Sequence, residues 1–208
     1  MKKNEPDMVP GKDGGGQFDR ETADKLNGIY LNMNTYTGRQ FAPMRITPED
    51  VCLEDIAHAL SLLCRGGGQL RWFYSVGQHS INCAREALAR GWSERMALIC
   101  LLHDASEAYI SDIIRPVKMH LSNYREIEDM IMGVILDAFH LSPLSEGENR
   151  RWRQIDNEVL THEVKALFPA EASSPTLPLV SEPDLSERAH REIEAAFLAM
   201  ARELIEKI

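Results

Sequence analysis

The chain has 208 residues, of which 44% are hydrophobic and 26% charged, and its formal net charge is −9. This length suits one domain with a single core, and the acidic balance argues against binding to duplex nucleic acid, which requires clustered Lys and Arg. No segment approaches the roughly 18 uninterrupted apolar residues of a membrane span, and no apolar run follows the N-terminal lysines as in a secretory signal. We therefore expect a cytoplasmic protein without membrane or duplex nucleic-acid partners.

The first predicted element is a tail. Residues 1–28 are rich in Gly, Asp and Lys and lack hydrophobic periodicity, which predicts a mobile segment before a domain over 29–208. Turn and strand character over 33–39 predicts a short hairpin or an extended arm. A Thr-Pro-Glu-Asp start signal at Thr47, followed by 3.6-type apolar spacing, predicts a helix that ends at Cys64, before three glycines.

Nearly every later segment carries helical signals, so the predicted class is all-α. Further helices are predicted over 77–90, 93–102, 122–139, 148–167 and 185–208. The helix over 93–102 is apolar almost all round, which is typical of a helix at the centre of a fold. The Pro- and Ser-rich stretch over 169–183 predicts a long loop, either a lid or a linker. The amphipathic last helix is compatible with completing the core or with forming a homodimer.

The four cysteines show no C-x-x-C spacing. Cys64, Cys83 and Cys100 lie among apolar residues in helix-like segments. This pattern predicts buried, reduced thiols rather than a disulfide framework or a cysteine metal site.

Residues that can carry metal or proton chemistry cluster at the end of the most apolar predicted helix. They are His103, Asp104, Glu107 and Asp112. Burial of an unpaired carboxylate costs several kcal/mol, and a divalent cation would compensate it. His103 and Asp104 can bind one ion from adjacent positions, and Glu107 lies one turn further along the same face. Asp112 can turn back over the same opening.

An ion needs more ligands than His103 and Asp104. His79 lies about one antiparallel helix hairpin upstream, and Asp156 lies at the edge of an apolar helical stripe, with Asp137 as a rival. Each residue taken alone has a plain alternative, since His79 could be a hydrogen-bonded core histidine and Asp156 a helix cap or solvated acid. Mixed imidazole and carboxylate ligation suits Mn, Co, Zn, Fe or Ni better than Ca.

The order His79, His103-Asp104, Asp156 resembles the H…HD…D signature of the HD-domain superfamily of phosphohydrolases. The stretch over 103–107, followed by Asp112 and the Pro-Val-Lys run at 116–118, is similar to bacterial 5′-deoxynucleotidases. The segments over 34–39, 56–61 and 73–80 resemble a subgroup of small HD hydrolases. That subgroup includes viral deoxyadenosine triphosphate triphosphohydrolases and an enzyme that trims a nucleoside triphosphate analogue in antibiotic biosynthesis. The resemblance covers residues 30–168.

The resemblance implies a helical HD-domain bundle with one divalent transition metal per chain, held by His79, His103, Asp104 and Asp156. It implies hydrolysis of a deoxynucleoside mono- or triphosphate by attack of a metal-bound water on phosphorus. Glu107 would be the general acid/base near that water, and Asp112 would orient the water or accept its proton.

Candidates for substrate binding follow from position in the sequence near these motifs. Arginine suits bidentate phosphate contacts, and an aromatic side chain could wall a base pocket, although such clusters more often belong to the core. The candidates are Arg39, Arg65, Arg71, Arg115, Lys118 and Trp72. We expect about two of the basic residues to face the site.

Two other classes of function remain open. One is a nucleotide-sensing HD module without turnover, which the presence of both Glu107 and Asp112 disfavours. The other is a dinuclear HD phosphodiesterase or oxygenase, in which His120 and His140 would hold a second metal. The predicted positions of these histidines, at a loop edge and a helix C-terminus, disfavour it.

Overall fold

Helices make up most of residues 32–208, the part of the chain that the computed structural model describes. In chain order they are α1 (Leu53–Leu62), α2 (Val76–Ala89), α3 (Glu94–Leu102), α4 (Glu107–Ile110), α5 (Arg115–Lys118), α6 (Tyr124–Ala138), α7 (Glu146–Leu167) and α8 (His190–Glu206), with 3-10 turns at Pro43–Arg45, Arg65–Gly68 and Pro169–Glu171. The predicted all-α class is confirmed. The predicted tail over 1–28 lies outside the described residues.

A small antiparallel hairpin precedes the helices. Its strands, β1 (Met33–Asn34) and β2 (Gln40–Phe41), pair Met33 with Phe41. Gly38 closes the turn with φ of +86°, a conformation that a glycine adopts without strain. The hairpin is one of the two forms expected for this segment, and the extended arm is not formed.

The first helix begins later than its start signal indicates. Asp50 Oδ2 accepts hydrogen bonds from the backbone N–H and the hydroxyl of Thr47, at 2.9 and 3.0 Å, so this signal forms an isolated turn. α1 itself begins at Leu53, after the extended backbone of Cys52. The last helix also begins later than predicted, at His190 rather than at 185.

The pair formed by α2 and α3 is the centre of the fold. α2 packs against α1, α3, α7 and α8, and every residue of α3 from 96 to 102 is buried, as its apolar composition predicts. A Cβ at Gly77 would lie 3.2 Å from the Leu60 carbonyl oxygen, so this glycine permits the close approach of α2 to α1.

α8 packs against the outer side of α1, α2 and α3 and completes the core. It buries Ile193, Phe197, Ala201 and Leu204. This is one of the two roles expected for the amphipathic C-terminal helix. None of the helices in the described part of the chain is long and apolar enough to cross a membrane.

The predicted long loop is fixed on α2, and we call residues 172–189 the strap. The fully buried carboxylate of Glu86 accepts backbone hydrogen bonds from Val180 and Ser181, at 2.9 and 2.7 Å. The side chain of Asn82 donates to the Asp184 carbonyl at 2.9 Å and accepts from the Asp184 N–H at 3.1 Å. Buried polar groups on one face of α2 thus satisfy the backbone of the strap.

Candidate metal centre

Three helices bring the predicted ligands together. Ser75 caps α2 by accepting the backbone N–H of Gln78, which places His79 in the first turn of a helix packed between α3 and α7. His103 and Asp104 directly follow the end of α3, and Asp156 lies within α7. The donor atoms therefore converge where these elements cross.

Four donor atoms lie at the spacing expected around one ion. His79 Nε2 is 3.3 Å from His103 Nε2 and 3.2 Å from Asp156 Oδ1. Asp104 Oδ2 is 3.3 Å from His103 Nε2 and 3.9 Å from His79 Nε2, and Asp156 Oδ1 is 3.8 Å from His103 Nε2. Ligand atoms bound at about 2.0–2.2 Å to a common ion are separated by about 3–3.5 Å. The structure thus brings together all four residues predicted as metal ligands.

The second nitrogen of each imidazole is already bonded. His103 Nδ1 donates to the Cys100 carbonyl at 2.8 Å, and a carbonyl can only accept, so Nδ1 carries the proton. His79 Nδ1 lies 2.6 Å from Glu163 Oε1 and donates to this carboxylate. Each Nε2 is left to face the carboxylates, free to take up a metal ion or a proton. The donor set of two imidazoles and two carboxylates fits a divalent transition metal.

The pKa shifts in the centre indicate that it favours bound positive charge. Burial and Arg65 act to lower the pKa of His79, yet the carboxylates of Glu163 and Asp156 raise it well above its ordinary value. Burial also acts to lower the pKa of His103, but Asp104 and Asp156 raise it. Burial acts to raise the pKa of Asp156, but the two imidazoles hold it well below its ordinary value. Protons and a metal ion would compete for this centre.

A thiol lies beside the imidazoles. Cys83 Sγ is 3.5 Å from His79 Nε2, and candidate ligand atoms of His79, Cys83 and His103 all lie within 4.8 Å of one another. This buried group could hold a metal ion. Burial raises the pKa of the Cys83 thiol to about 11, which keeps the sulfur protonated and makes it a weaker candidate than a carboxylate. All four cysteines are free thiols, as predicted, although Cys64 is only partly buried.

His103, Asp104 and Asp156 form part of the wall of a cavity of about 910 Å³, and His79 lies buried behind them. The polar lining of the cavity includes Glu107 and Asp112, both predicted to act in proton transfer, and the basic side chains of Arg65, Arg115 and Lys118. The strap contributes nothing to this lining. The strap is therefore neither a lid over the cavity nor a free linker.

Glu107 reaches the cavity by a route that differs from the one predicted. α3 ends at Leu102 and residues 103–106 form turns, so Glu107 begins the separate helix α4 instead of continuing the helix before His103. Its Oε2 is buried with no hydrogen-bond partner among the described residues, and Oε1 is 3.9 Å from Lys118 Nζ. Burial, followed by repulsion from Asp104 and Asp112, raises the pKa of Glu107 to about 9.

Asp112 turns back over the opening, as the sequence indicated. Ser111 has φ of +69°, a conformation that L residues rarely adopt, and this residue redirects the chain after α4. Tyr124 holds the turn, since its hydroxyl donates to the Ser111 carbonyl at 2.8 Å. Burial raises the pKa of Asp112 above its ordinary value.

The three basic candidates at the cavity differ in how far they are already neutralised. Arg65 pairs with Asp104 and Glu163, each at 3.2 Å. Lys118 pairs with Glu128 at 2.7 Å. Arg115 has a largely exposed side chain with its nearest carboxylate oxygen, on Asp156, 3.7 Å away. Arg115 is thus the most available of the three for an anionic ligand.

Three predicted substrate contacts do not reach the cavity. Arg39 is exposed and donates to the Glu49 carbonyl at 2.6 Å, so it stabilises the loop before α1. The Trp72 indole N–H donates to the Leu185 carbonyl at 2.9 Å, so this side chain holds the strap. Arg71 is exposed and also absent from the cavity lining. All three were chosen for closeness to a motif in sequence, which does not determine where a side chain lies in the fold.

The rival ligands also lie elsewhere. Asp137 is exposed on α6 and does not line the cavity, whereas Asp156 lines it beside Asp104. His120 and His140 are exposed and absent from the cavity lining. These two histidines therefore do not form a second metal site in the cavity.

Two residues of the centre were missed by sequence reasoning. Trp152 lines the cavity, and its ring centroid lies 5.6 Å from that of His103. Glu163 is buried beneath His79 and bonded to it. Burial acts to raise the pKa of Glu163, but His79 and Arg65 lower it to about 2. On α7, Trp152 lies four positions before Asp156 and Glu163 lies seven positions after it. The three residues share one helix face, so helical spacing could have identified them.

Comparison with known proteins gives relatives without a stated activity. No protein-family model matches the chain. The chain is 37% identical over 112 residues to the uncharacterized protein YfdR of Escherichia coli (strain K12), covering 54% of this chain and 60% of YfdR. It is 38% identical over 111 residues to the uncharacterized protein RCAP_rcc00048 of Rhodobacter capsulatus, covering 50% of this chain and 56% of that protein. The matches thus span less than two thirds of either relative.

Proposed function

We propose that this protein is a metal-dependent phosphohydrolase of the HD-domain type that acts on a nucleotide, either a deoxynucleoside monophosphate or a triphosphate. The observation that carries the proposal is the convergence of His79, His103, Asp104 and Asp156, in which the two imidazole Nε2 atoms lie 3.2–3.9 Å from each other and from the carboxylate oxygens. Three of these residues, His103, Asp104 and Asp156, line a cavity. The order of the four residues along the chain is the order of the HD signature. Two imidazoles and two carboxylates suit a divalent transition metal such as Mn, Co, Zn, Fe or Ni, with one ion per chain.

A divalent ion held by these four residues would polarise a phosphoryl oxygen and lower the pKa of water. The chain itself supplies the proton transfers that hydrolysis of a P–O bond requires. Glu107 has one buried carboxyl oxygen without a partner among the described residues, and this carboxyl can give a proton to the leaving oxygen as that bond breaks. Asp112, across the same cavity, can accept the proton that the attacking water loses. Glu107 thus releases one proton and Asp112 takes up one, so the number of protons on the protein does not change.

The rest of the cavity suits a phosphate attached to an aromatic base. Arg115 stands beside the ligand Asp156 and can contact a phosphate oxygen. Arg125 and Arg153 add two further guanidinium groups to the lining. The Trp152 ring lies next to His103 with the Arg153 guanidinium over it, 4.9 Å from the ring centroid, and this pair of side chains offers a flat surface for stacking of a base. We assign substrate contacts to these residues in place of Arg39 and Trp72.

The test is a nucleotide panel assayed with metal-replete protein. Chelator-stripped protein is reloaded with Mn²⁺ or Co²⁺ and given deoxynucleoside mono- and triphosphates with their ribonucleotide counterparts, and products are identified by anion-exchange chromatography. Release of phosphate, pyrophosphate or triphosphate from at least one nucleotide is expected, and its identity defines the bond that is cut. No release across several metals would overturn the proposal. Thermal stabilisation by a nucleotide without any product would instead favour the sensing module.

A further inference from the structure

We infer that Glu163 is the positioning residue of the metal centre, which orients His79 directly and Asp104 through Arg65. The inference rests on the proposed metal centre but not on the reaction proposed for it. Neither the sequence motif nor any relative assigns a role to this glutamate.

The carboxylate of Glu163 is buried and fully engaged. Oε1 accepts from His79 Nδ1 at 2.6 Å and from the Tyr74 hydroxyl at 2.7 Å. Asn82 Nδ2 donates to the same hydroxyl at 2.9 Å, which leaves the hydroxyl proton of Tyr74 for Glu163. A carboxylate surrounded by donors can only accept, so it keeps the proton of His79 on Nδ1 and directs Nε2 into the centre.

The other oxygen of Glu163 connects to a second ligand. Arg65 Nε lies 3.2 Å from Glu163 Oε2, and Arg65 Nη1 donates to Asp104 Oδ2 at 3.2 Å. One planar guanidinium thus links the buried glutamate to the aspartate of the His-Asp pair. Because the guanidinium is rigid, it fixes the direction of both carboxylates at once.

The backbone around Arg65 supports this link. Arg65 begins a turn whose next residue, Gly66, has φ of +61°. A Cβ at Gly66 would lie 2.9 Å from Phe168 Cζ, so only glycine lets this turn pack against the residue that follows α7. The turn and the end of α7 are therefore held together, with Arg65 and Glu163 on facing sides.

A merely structural role and a positioning role predict different results for Glu163→Gln. A structural role affects stability alone. A positioning role weakens metal binding, because the glutamine amide can donate to Nδ1 and leave a proton on Nε2, and because Arg65 loses a charged partner. Outer-shell partners of this kind change metal affinity by about 10- to 100-fold.

The experiment compares the wild-type protein with Glu163→Gln and with Glu86→Gln as the matched control. Glu86 is an equally buried carboxylate that holds the strap from α2. The dissociation constants for Zn²⁺ and Mn²⁺ are measured by competition with a chromogenic chelator. We expect affinity weaker by about 10- to 100-fold in Glu163→Gln and unchanged in Glu86→Gln. Affinity within threefold of the wild type in folded Glu163→Gln would overturn the inference.

Two further readouts keep the inference testable if Glu163→Gln does not fold. The Zn²⁺-loaded wild-type protein should show a low-field, slowly exchanging Nδ1–H proton of His79 in its NMR spectrum, and absence of this signal would overturn the inference. Arg65→Lys keeps the positive charge but loses the planar guanidinium that contacts two carboxylates at once. This variant should weaken Zn²⁺ binding while the Nδ1–H signal of His79 remains. An unchanged Zn²⁺ affinity in Arg65→Lys would show that Arg65 does not orient Asp104 for metal binding. A wild-type protein that binds metal but hydrolyses no nucleotide would refute the proposed reaction and leave this inference intact.

Discussion

His79 Nε2 and His103 Nε2 lie 3.3 Å apart, while the Nδ1 atoms of the two imidazoles are bonded to Glu163 and to the Cys100 carbonyl. The two rings come from different helices, and each is oriented by its own partner. Their free nitrogens therefore form one preorganised site with the neighbouring carboxylates, before any ligand arrives.

Asp156→Asn should remove a charged ligand and lower metal affinity by at least about tenfold, with a parallel loss of any hydrolysis. Asp137→Asn is the matched control, since Asp137 was the rival ligand and is exposed on α6. Metal content after dialysis, measured by elemental analysis, distinguishes the two. Equal metal content in both variants would show that Asp156 is not a ligand.

Metal affinity should rise with pH across the neutral range. The pKa values of His79 and His103 are both raised above their ordinary value, so protons still occupy the centre above pH 6.5 and must leave when a metal binds. The affinity should therefore change by about tenfold per pH unit for each proton displaced. Titrations with Mn²⁺ between pH 6 and 8.5 measure this slope, and a flat profile would contradict it.

Glu107→Gln should stabilise the metal-free protein at alkaline pH. The pKa of Glu107 is raised from 4.5 to about 9 in the folded protein. Between these values the folded protein keeps a proton that the unfolded chain has released, so stability falls as pH rises through this window. The variant should gain at least about 1 kcal/mol in the free energy of unfolding at pH 8 and nothing at pH 4.

Urea unfolding at both pH values measures the effect of Glu107→Gln. Glu187→Gln, at an exposed position, is the control and should show no pH-dependent gain. A gain for Glu107→Gln that is the same at pH 4 and pH 8 would mean that titration of this carboxyl is not its cause.

Arg115→Gln should raise KM for the nucleotide by about tenfold with little change in metal affinity, because a charge-assisted hydrogen bond to a phosphate would be lost. Arg39→Gln is the control, since Arg39 lies at the loop before α1 rather than at the cavity. Steady-state kinetics on both variants provide the measurement. A larger effect from Arg39→Gln would contradict the placement of the substrate.

Trp152→Phe should raise KM by about 2- to 10-fold, because a smaller ring gives less stacking area for a base. Trp72→Phe serves as the control; it should leave KM unchanged and weaken only the attachment of the strap, through loss of the bond to Leu185. The two kinetic constants and the thermal unfolding temperature separate these effects. If Trp72→Phe alone raised KM, the base pocket would lie elsewhere.

The convergence of the four candidate ligands could be predicted from the sequence because three of them occur in compact signals. His103 and Asp104 are adjacent and directly follow the most apolar helix, and His79 lies in the first turn of the helix that packs on it. Asp156 was found from the edge of an apolar stripe on α7. In each case local pattern and helix packing agree.

Other features depended on tertiary contacts that no local pattern carries. Thr47 opens only a turn, because the backbone is extended at Cys52 before α1 begins at Leu53. The role of Trp72 depends on a partner more than a hundred residues away. Glu163 was missed because an isolated buried glutamate looks like any helical acid until His79 and Arg65 are placed beside it.

The most direct test of the account is anomalous diffraction from crystals grown with Mn²⁺ or Co²⁺, recorded at the absorption edge of the metal. We predict one strong peak per chain, within bonding distance of His79 Nε2, His103 Nε2, Asp104 and Asp156, with Glu163 bonded to His79 Nδ1 behind it. A peak bound through Cys83 without the two aspartates, or no peak in this cavity at a saturating metal concentration, would contradict the account.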